Sequence, residues 1–207
     1  MSAVLADMGA GFADPVHGAQ QAFRTLLGAM AEPGRLLALP GSATAGIEPP
    51  MGLALAATLL TLLDADTPVH LAGTLGTDAS RAWVRFHTGA RDAGTVAPMT
   101  AALARDVHEV LWQALDLGTD EAPQSSATLF VEVDALSERP LPGAVALKLR
   151  GPGIERSRDL AVAGLPPAFW QWRRALQAEL PRGVDLVLAC GTRLAALPRS
   201  TRLESEG

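Results

Sequence analysis

Between Asp14 and Gly34 the apolar residues Val16, Ala19, Phe23, Leu26, Leu27 and Met30 return every three or four positions, the spacing of one face of an α-helix. Asp14 can accept the free first-turn amides, Pro15 is preset for the first helical position, and Glu32-Pro33-Gly34 ends the run, which predicts an amphipathic helix. Met51 to Leu63 is apolar nearly all round, with only Thr58 and Thr61 polar beyond glycine, and predicts a helix buried between layers. A third helix is expected from Asp78 to Phe86 with Ala79, Ala82, Trp83 and Phe86 inward, and a fourth from Asp106 to Leu117. Short apolar stretches at Leu36 to Leu39 and Val69 to Ala72 read as strands.

The second half changes period. Thr128 to Val133, Ala144 to Leu149 and Val184 to Cys190 read as strands, and Cys190-Gly191-Thr192-Arg193 as a tight hairpin turn into Leu194 to Leu197. Pro167 to Leu180 predicts a last helix. Helices interleaved with strands indicate an α/β fold, a layered αβα domain whose terminal hairpin makes the sheet mixed. Nothing divides residues 1–207, so a single domain is expected, with residues 1–13 as a flexible N-terminal segment.

Composition narrows the chemistry. A formal charge of -5 opposes a nucleic-acid partner, because counterion displacement needs clustered cations. Sixteen of the 17 cations are Arg and only Lys148 is Lys, a bias that reads as coding preference before recognition. The longest apolar run is too short to span a bilayer, and the N-terminus lacks a basic n-region, so no membrane partner and a cytoplasmic location are expected. Cys190 is alone and rules out an internal disulfide or a cysteine-built metal site; lying in an apolar strand, it reads as a core filler. The histidines His17, His70, His87 and His108 include no i, i+4 pair, and His108-Glu109-Val110-Leu111-Trp112 places Trp where a second metal ligand would stand. No metal and no catalytic residue are assigned.

Lys148 is the one side chain able to form a Schiff base with pyridoxal phosphate, but strand alternation puts it with Arg150 on the face opposite Val145, Leu147 and Leu149. A solvated lysine is expected there, and no cofactor. The following Arg150-Gly151-Pro152-Gly153-Ile154 leaves two readings open. It is a turn leaving a strand, or an anion cradle in which Arg150, Arg156 and Arg158 offer guanidinium groups to phosphate or phosphonate oxygens while Pro152 removes one backbone donor.

Several segments in order, Phe23 to Gly34, Leu62 to Pro68, Val84 to Thr88, Arg150 to Ile154, Gly183 to Gly191 and Leu197 to Thr201, resemble the PhnH family, a component of the bacterial carbon-phosphorus lyase system. The resemblance runs from about Pro15 to Glu204. It implies a fold similar to the large domain of pyridoxal-phosphate-dependent transferases but without the cofactor site, and a homodimer when isolated. It also implies a core complex with subunits G, I and J, which supports transfer of an alkylphosphonate to C1 of the ATP ribose with release of adenine. The resemblance brings no catalytic residue with it, so an assembly subunit is the first expectation, and an enzyme in its own right the lesser one. The alternative is a phosphonate- or nucleotide-binding participant, with Arg150, Gly151, Gly153 and Arg156 as candidates and Arg24, Arg85 and His87 as further ones that serve equally as structural anchors.

Overall fold

The computed structural model describes residues 9–94, 101–104 and 112–204. Helix α1 (Pro15–Ala31) starts as its sequence dictates, with the Asp14 carboxylate accepting from the backbone amides of Val16 and His17, each at 3.1 Å. The His17 amide is the main cause holding the Asp14 carboxyl below its ordinary value of 3.8. Strand β1 (Leu37–Ala38), the buried helix α2 (Leu53–Leu62), β2 (Val69–Leu71), helix α3 (Asp78–Thr88) and β3 (Ala101–Ala104) follow. After them come β4 (Thr128–Glu132), β5 (Ala135–Ser137), β6 (Val145–Arg150), β7 (Arg158–Ala163), helix α4 (Pro167–Ala175), β8 (Asp185–Cys190), β9 (Arg193–Leu197) and β10 (Arg202–Leu203).

The strands form two sheets, a mixed one ordered β1-β9-β8-β4-β3-β2 and an antiparallel one ordered β10-β6-β7-β5. In the first, β2, β3, β4 and β8 are parallel, and the two-residue turn at Gly191 and Thr192 brings β9 back antiparallel to β8. Both faces of this sheet are buried, so its apolar residues divide by parity. Phe130, Val187, Ala189, Leu194 and Ala196 pack toward α1, α2 and α3, whereas Leu129, Val131, Leu186, Leu188, Ala195 and Leu197 share the second core with Leu147, Leu160, Phe169 and Trp170. An αβα sandwich would place helices on both faces. Here the second face is covered by the four-stranded sheet together with α4: β6 alternates buried Leu147 and Leu149 with exposed Lys148 and Arg150, and β7 beside it adds Leu160 and Val162 to the same core.

Two sequence expectations change in the helices. The buried line of α1 is Gly18, Ala22, Leu26 and Ala29, three of them small residues that let the helix approach β9 and α2 closely. Val16, Phe23 and Leu27 of the expected apolar face instead point to solvent. In α3 the buried residues are Ser80, Trp83 and Val84, while Ala79 and Phe86 are exposed. The indole of Trp83 reaches the Gly9 carbonyl at 3.1 Å and sets the rotation of the helix. Most of the expected fourth helix, with His108 and Glu109, lies outside the described residues.

Candidate functional site

Along β6 burial alternates as the sequence requires, with Leu147 and Leu149 inward and Lys148 and Arg150 outward. Lys148 is exposed and faces Asp159 across the ladder. The chain then turns through Gly151 and Gly153, both at positive φ, +138° and +81°. A Cβ at Gly151 would lie 2.9 Å from the Ser200 carbonyl oxygen, and one at Gly153 would lie 2.1 Å from the Ala31 carbonyl oxygen. The glycines therefore answer close approach on two sides, β10 and the end of α1. Arg158 completes the joint, donating from Nη1 to the carbonyls of Glu32 at 2.8 Å and Pro33 at 3.0 Å. Gly34 interlocks from the other side, where a Cβ would meet Leu149 Cδ1 at 2.2 Å. The Glu32-Pro33-Gly34 and Arg150-to-Ile154 stretches are thus one packing unit in space.

Beside this joint lies a groove of about 570 Å³ walled by Arg150, Gly151, Gln177, Ser200, Arg202 and Glu204. Arg150 is not free in it, because its Nε is paired with the Glu204 carboxylate. Arg202 is exposed with no ion-pair partner among the described residues, and the buried Gln177 Nε2 has no acceptor. Two guanidinium groups against one carboxylate leave one net positive charge, which suits a singly charged oxyanion bound beside Glu204. Among the described residues no group of three His, Cys, Asp or Glu side chains is placed to hold a metal.

The Ser200–Glu204 wall is held from below by residues the sequence did not single out. Asp185, at the start of β8, accepts from the Arg199 backbone N at 2.7 Å, from its Nη2 at 2.6 Å and from its Nε at 3.2 Å. Arg173 of α4, 1% exposed, donates from Nη2 to the Pro198 carbonyl at 2.7 Å. Burial pushes its guanidinium pKa down to about 10, with Asp185 opposing and Arg199 adding to the shift. The signals of this clamp in the chain are the Leu197-to-Thr201 stretch, which holds Arg199, and the Gly183-to-Gly191 stretch, which holds Asp185.

The other candidates are dispersed. Arg156 is exposed in the β6–β7 loop, and Arg24 is exposed on α1. His87 is tied through Nε2 to the Gly9 carbonyl at 2.9 Å and packs its ring against Trp83 and Phe86, with centroids 4.7 and 5.0 Å apart. Arg85 belongs to a separate cleft with Arg81 and Arg91. Cys190, expected in the core, is only partly buried, at the strand end, with Sγ 3.4 Å from the Asp134 carbonyl.

Residues 10–204 match the family described as bacterial phosphonate metabolism protein (PhnH). The chain is 41% identical over 196 residues to the alpha-D-ribose 1-methylphosphonate 5-triphosphate synthase subunit PhnH of Rhizobium meliloti, covering 94% of each chain. It is 33% identical over 192 residues to HtxG of Stutzerimonas stutzeri, a protein provisionally named as part of a C-P lyase, covering 91% of this chain and 87% of the relative.

Proposed function

The chain belongs to the PhnH family of bacterial phosphonate metabolism proteins, and from that premise we propose that it is an assembly subunit of a carbon-phosphorus lyase core complex in organophosphonate catabolism. Its role is to support the step in which an alkylphosphonate is transferred to C1 of the ATP ribose with release of adenine. Its partners are subunits G, I and J, it pairs with itself when isolated, and it works in the cytoplasm. Its scaffold is that of the large domain of pyridoxal-phosphate-dependent transferases put to a use without the cofactor.

The observation that supports an assembly role is the outer face of α1. Val16, Phe23 and Leu27 are 63%, 48% and 57% exposed and follow one another at i, i+7 and i+11, so they form a single apolar ridge. Leaving such side chains in water forgoes about 25 cal/mol for each Å² of apolar surface, which a partner recovers on association. Co-expression of the tagged chain with subunits G, I and J, followed by affinity capture and light scattering, tests the role. Wild type is expected in a stoichiometric complex, and the Phe23→Ser, Leu27→Ser double variant is expected to melt like wild type but to be lost from it. An isolated wild-type chain that captures none of the three overturns the reading.

A second reading makes the Arg150 groove a phosphonate or nucleotide site, favoured by the unpaired Arg202 and the acceptor-less Gln177 amide. Arg150→Ala would then weaken anion binding without altering assembly.

A further inference from the structure

On α3, Arg81 and Arg85 stand four residues apart and therefore on one helix face. Gly89 ends the helix in the left-handed conformation, φ +75°, with its N–H on the Arg85 carbonyl at 3.0 Å. That reversal lets residues 91–93 run back along β2, fixed by Val69 N to Arg91 O at 3.0 Å and Ala93 N to Val69 O at 2.8 Å. Arg91 is thereby brought to the Arg81 and Arg85 face, and the three arginines line a cleft of about 460 Å³ with Ala82 and Asp92.

The three guanidinium groups are not equivalent. Arg81 is locked, with Nε on Asp92 Oδ2 at 2.7 Å and Nη1 on the Gly76 carbonyl at 2.6 Å. Asp92 is itself committed, since its other oxygen accepts from Gly94 N at 3.0 Å. The guanidinium groups of Arg85 and Arg91 belong to exposed residues and have no hydrogen bond or ion pair among the described residues. The other nearby carboxylate among the described residues, Asp78, is fully exposed and 3.8 Å from Arg81. Among its described residues, a protein of net charge -5 thus keeps two unpaired cations beside a third that is already oriented. Like charges on one helix face repel. A multiply charged anion removes that repulsion, and the guanidinium fork matches two oxygens of a phosphate group.

We propose that Arg81, Arg85 and Arg91 form a binding site for a phosphate-class oxyanion, separate from the Arg150 groove and independent of the assembly role. Arg81 receives the anion without rearranging, and Arg85 and Arg91 close over it.

The test compares thermal melts of the purified chain in sodium phosphate and in sodium chloride at matched ionic strength, with calorimetric titration of inorganic phosphate. Wild type is expected to show a saturable rise in melting temperature with phosphate. Arg85→Gln and Arg91→Gln are each expected to melt within a degree or two of wild type in chloride and to lose roughly ten-fold or more in phosphate affinity, as removal of one charge-assisted contact implies. General salting-in or salting-out by phosphate moves all variants alike, so the difference between variants is the readout. Arg150→Gln should keep the wild-type response. No saturable response in wild type, an undiminished response in both Arg85→Gln and Arg91→Gln, or a response abolished by Arg150→Gln instead, overturns the assignment. Failure of partner capture leaves it untouched.

Discussion

Asp185→Asn keeps the size of the side chain and removes the single carboxylate that faces two guanidinium groups. Arg199 and Asp185 are 19% and 17% exposed in their side chains, and Arg173 is 1% exposed, so neither cation can turn to water without unpacking the turn at Pro198. The new amide would present N–H donors toward Arg199 Nη2, now 2.6 Å from the carboxylate. Breaking a buried pair from one side costs about 3–5 kcal/mol, and partial exposure puts this case near the lower end, about 3 kcal/mol. For a domain of this length that lowers the melting temperature by about 6–12 °C. Arg173→Met gives the contrast. It removes a cation whose burial already depresses its pKa to about 10, leaves Asp185 paired with Arg199, and gives up one hydrogen bond to Pro198, so it should cost no more than about 1 kcal/mol. In the Arg173→Met background Asp185→Asn should then cost less than it does alone, by about 1 kcal/mol. Urea melts of the four proteins measure this. An Asp185→Asn effect below about 1 kcal/mol, or perfect additivity with Arg173→Met, would refute the reasoning.

Gly153→Ala meets the Ala31 carbonyl oxygen at 2.1 Å as well as an unfavourable φ, and should cost at least about 3 kcal/mol in a denaturant melt, whereas Gly143→Ala, at φ +76° with open space around it, should cost only about 1–2 kcal/mol. Equal costs would show that conformation alone, and not the joint with α1, requires glycine at 153. Arg158→Ala strips two hydrogen bonds from the end of α1 and should lower stability by about 2 kcal/mol; hydrogen exchange of the Ala29–Pro33 segment should rise with it.

Periodicity located α1, α2, α3 and α4 and the strands β4, β6, β8 and β9, because each carries an apolar pattern dense enough to override its neighbours. It failed on the rotation of α1. Small residues at Gly18, Ala22 and Ala29 contribute little to a hydrophobic pattern, yet they are the ones that allow close packing, while the large Val16, Phe23 and Leu27 dominate the pattern from the exposed side. It also missed the short strands β5 and β10 of the second sheet, and the six-residue β7, where Leu160, Ala161 and Val162 are buried in succession and show no alternation. Three residues such as Ala135–Ser137 carry too few positions to display a period, and their pairing is decided by β6 and β7 across long sequence separations.

The same limit explains which functional features were legible. Arg150 and its glycines attract notice because they are adjacent in the chain, and adjacency is what a turn joining β6 to α1 and β10 needs for purely steric reasons. The cleft at Arg81, Arg85 and Arg91 is spread over a helix, a left-handed cap and a bridge to β2, so no local spelling announces it, although Arg85 was already a candidate. The clamp of Asp185, Arg173 and Arg199 is more scattered still, drawing on β8, α4 and the turn after β9. Charge separates these last two. In the clamp the carboxylate is matched to its arginine and both are largely shielded from water, which suits a permanent structural role. In the cleft two cations remain solvated and, among the described residues, unpaired, the condition expected of a site whose counter-charge arrives from outside. Partner assembly through the α1 ridge and anion capture at α3 use different surfaces of the same helical layer, so a variant of one should leave the other intact.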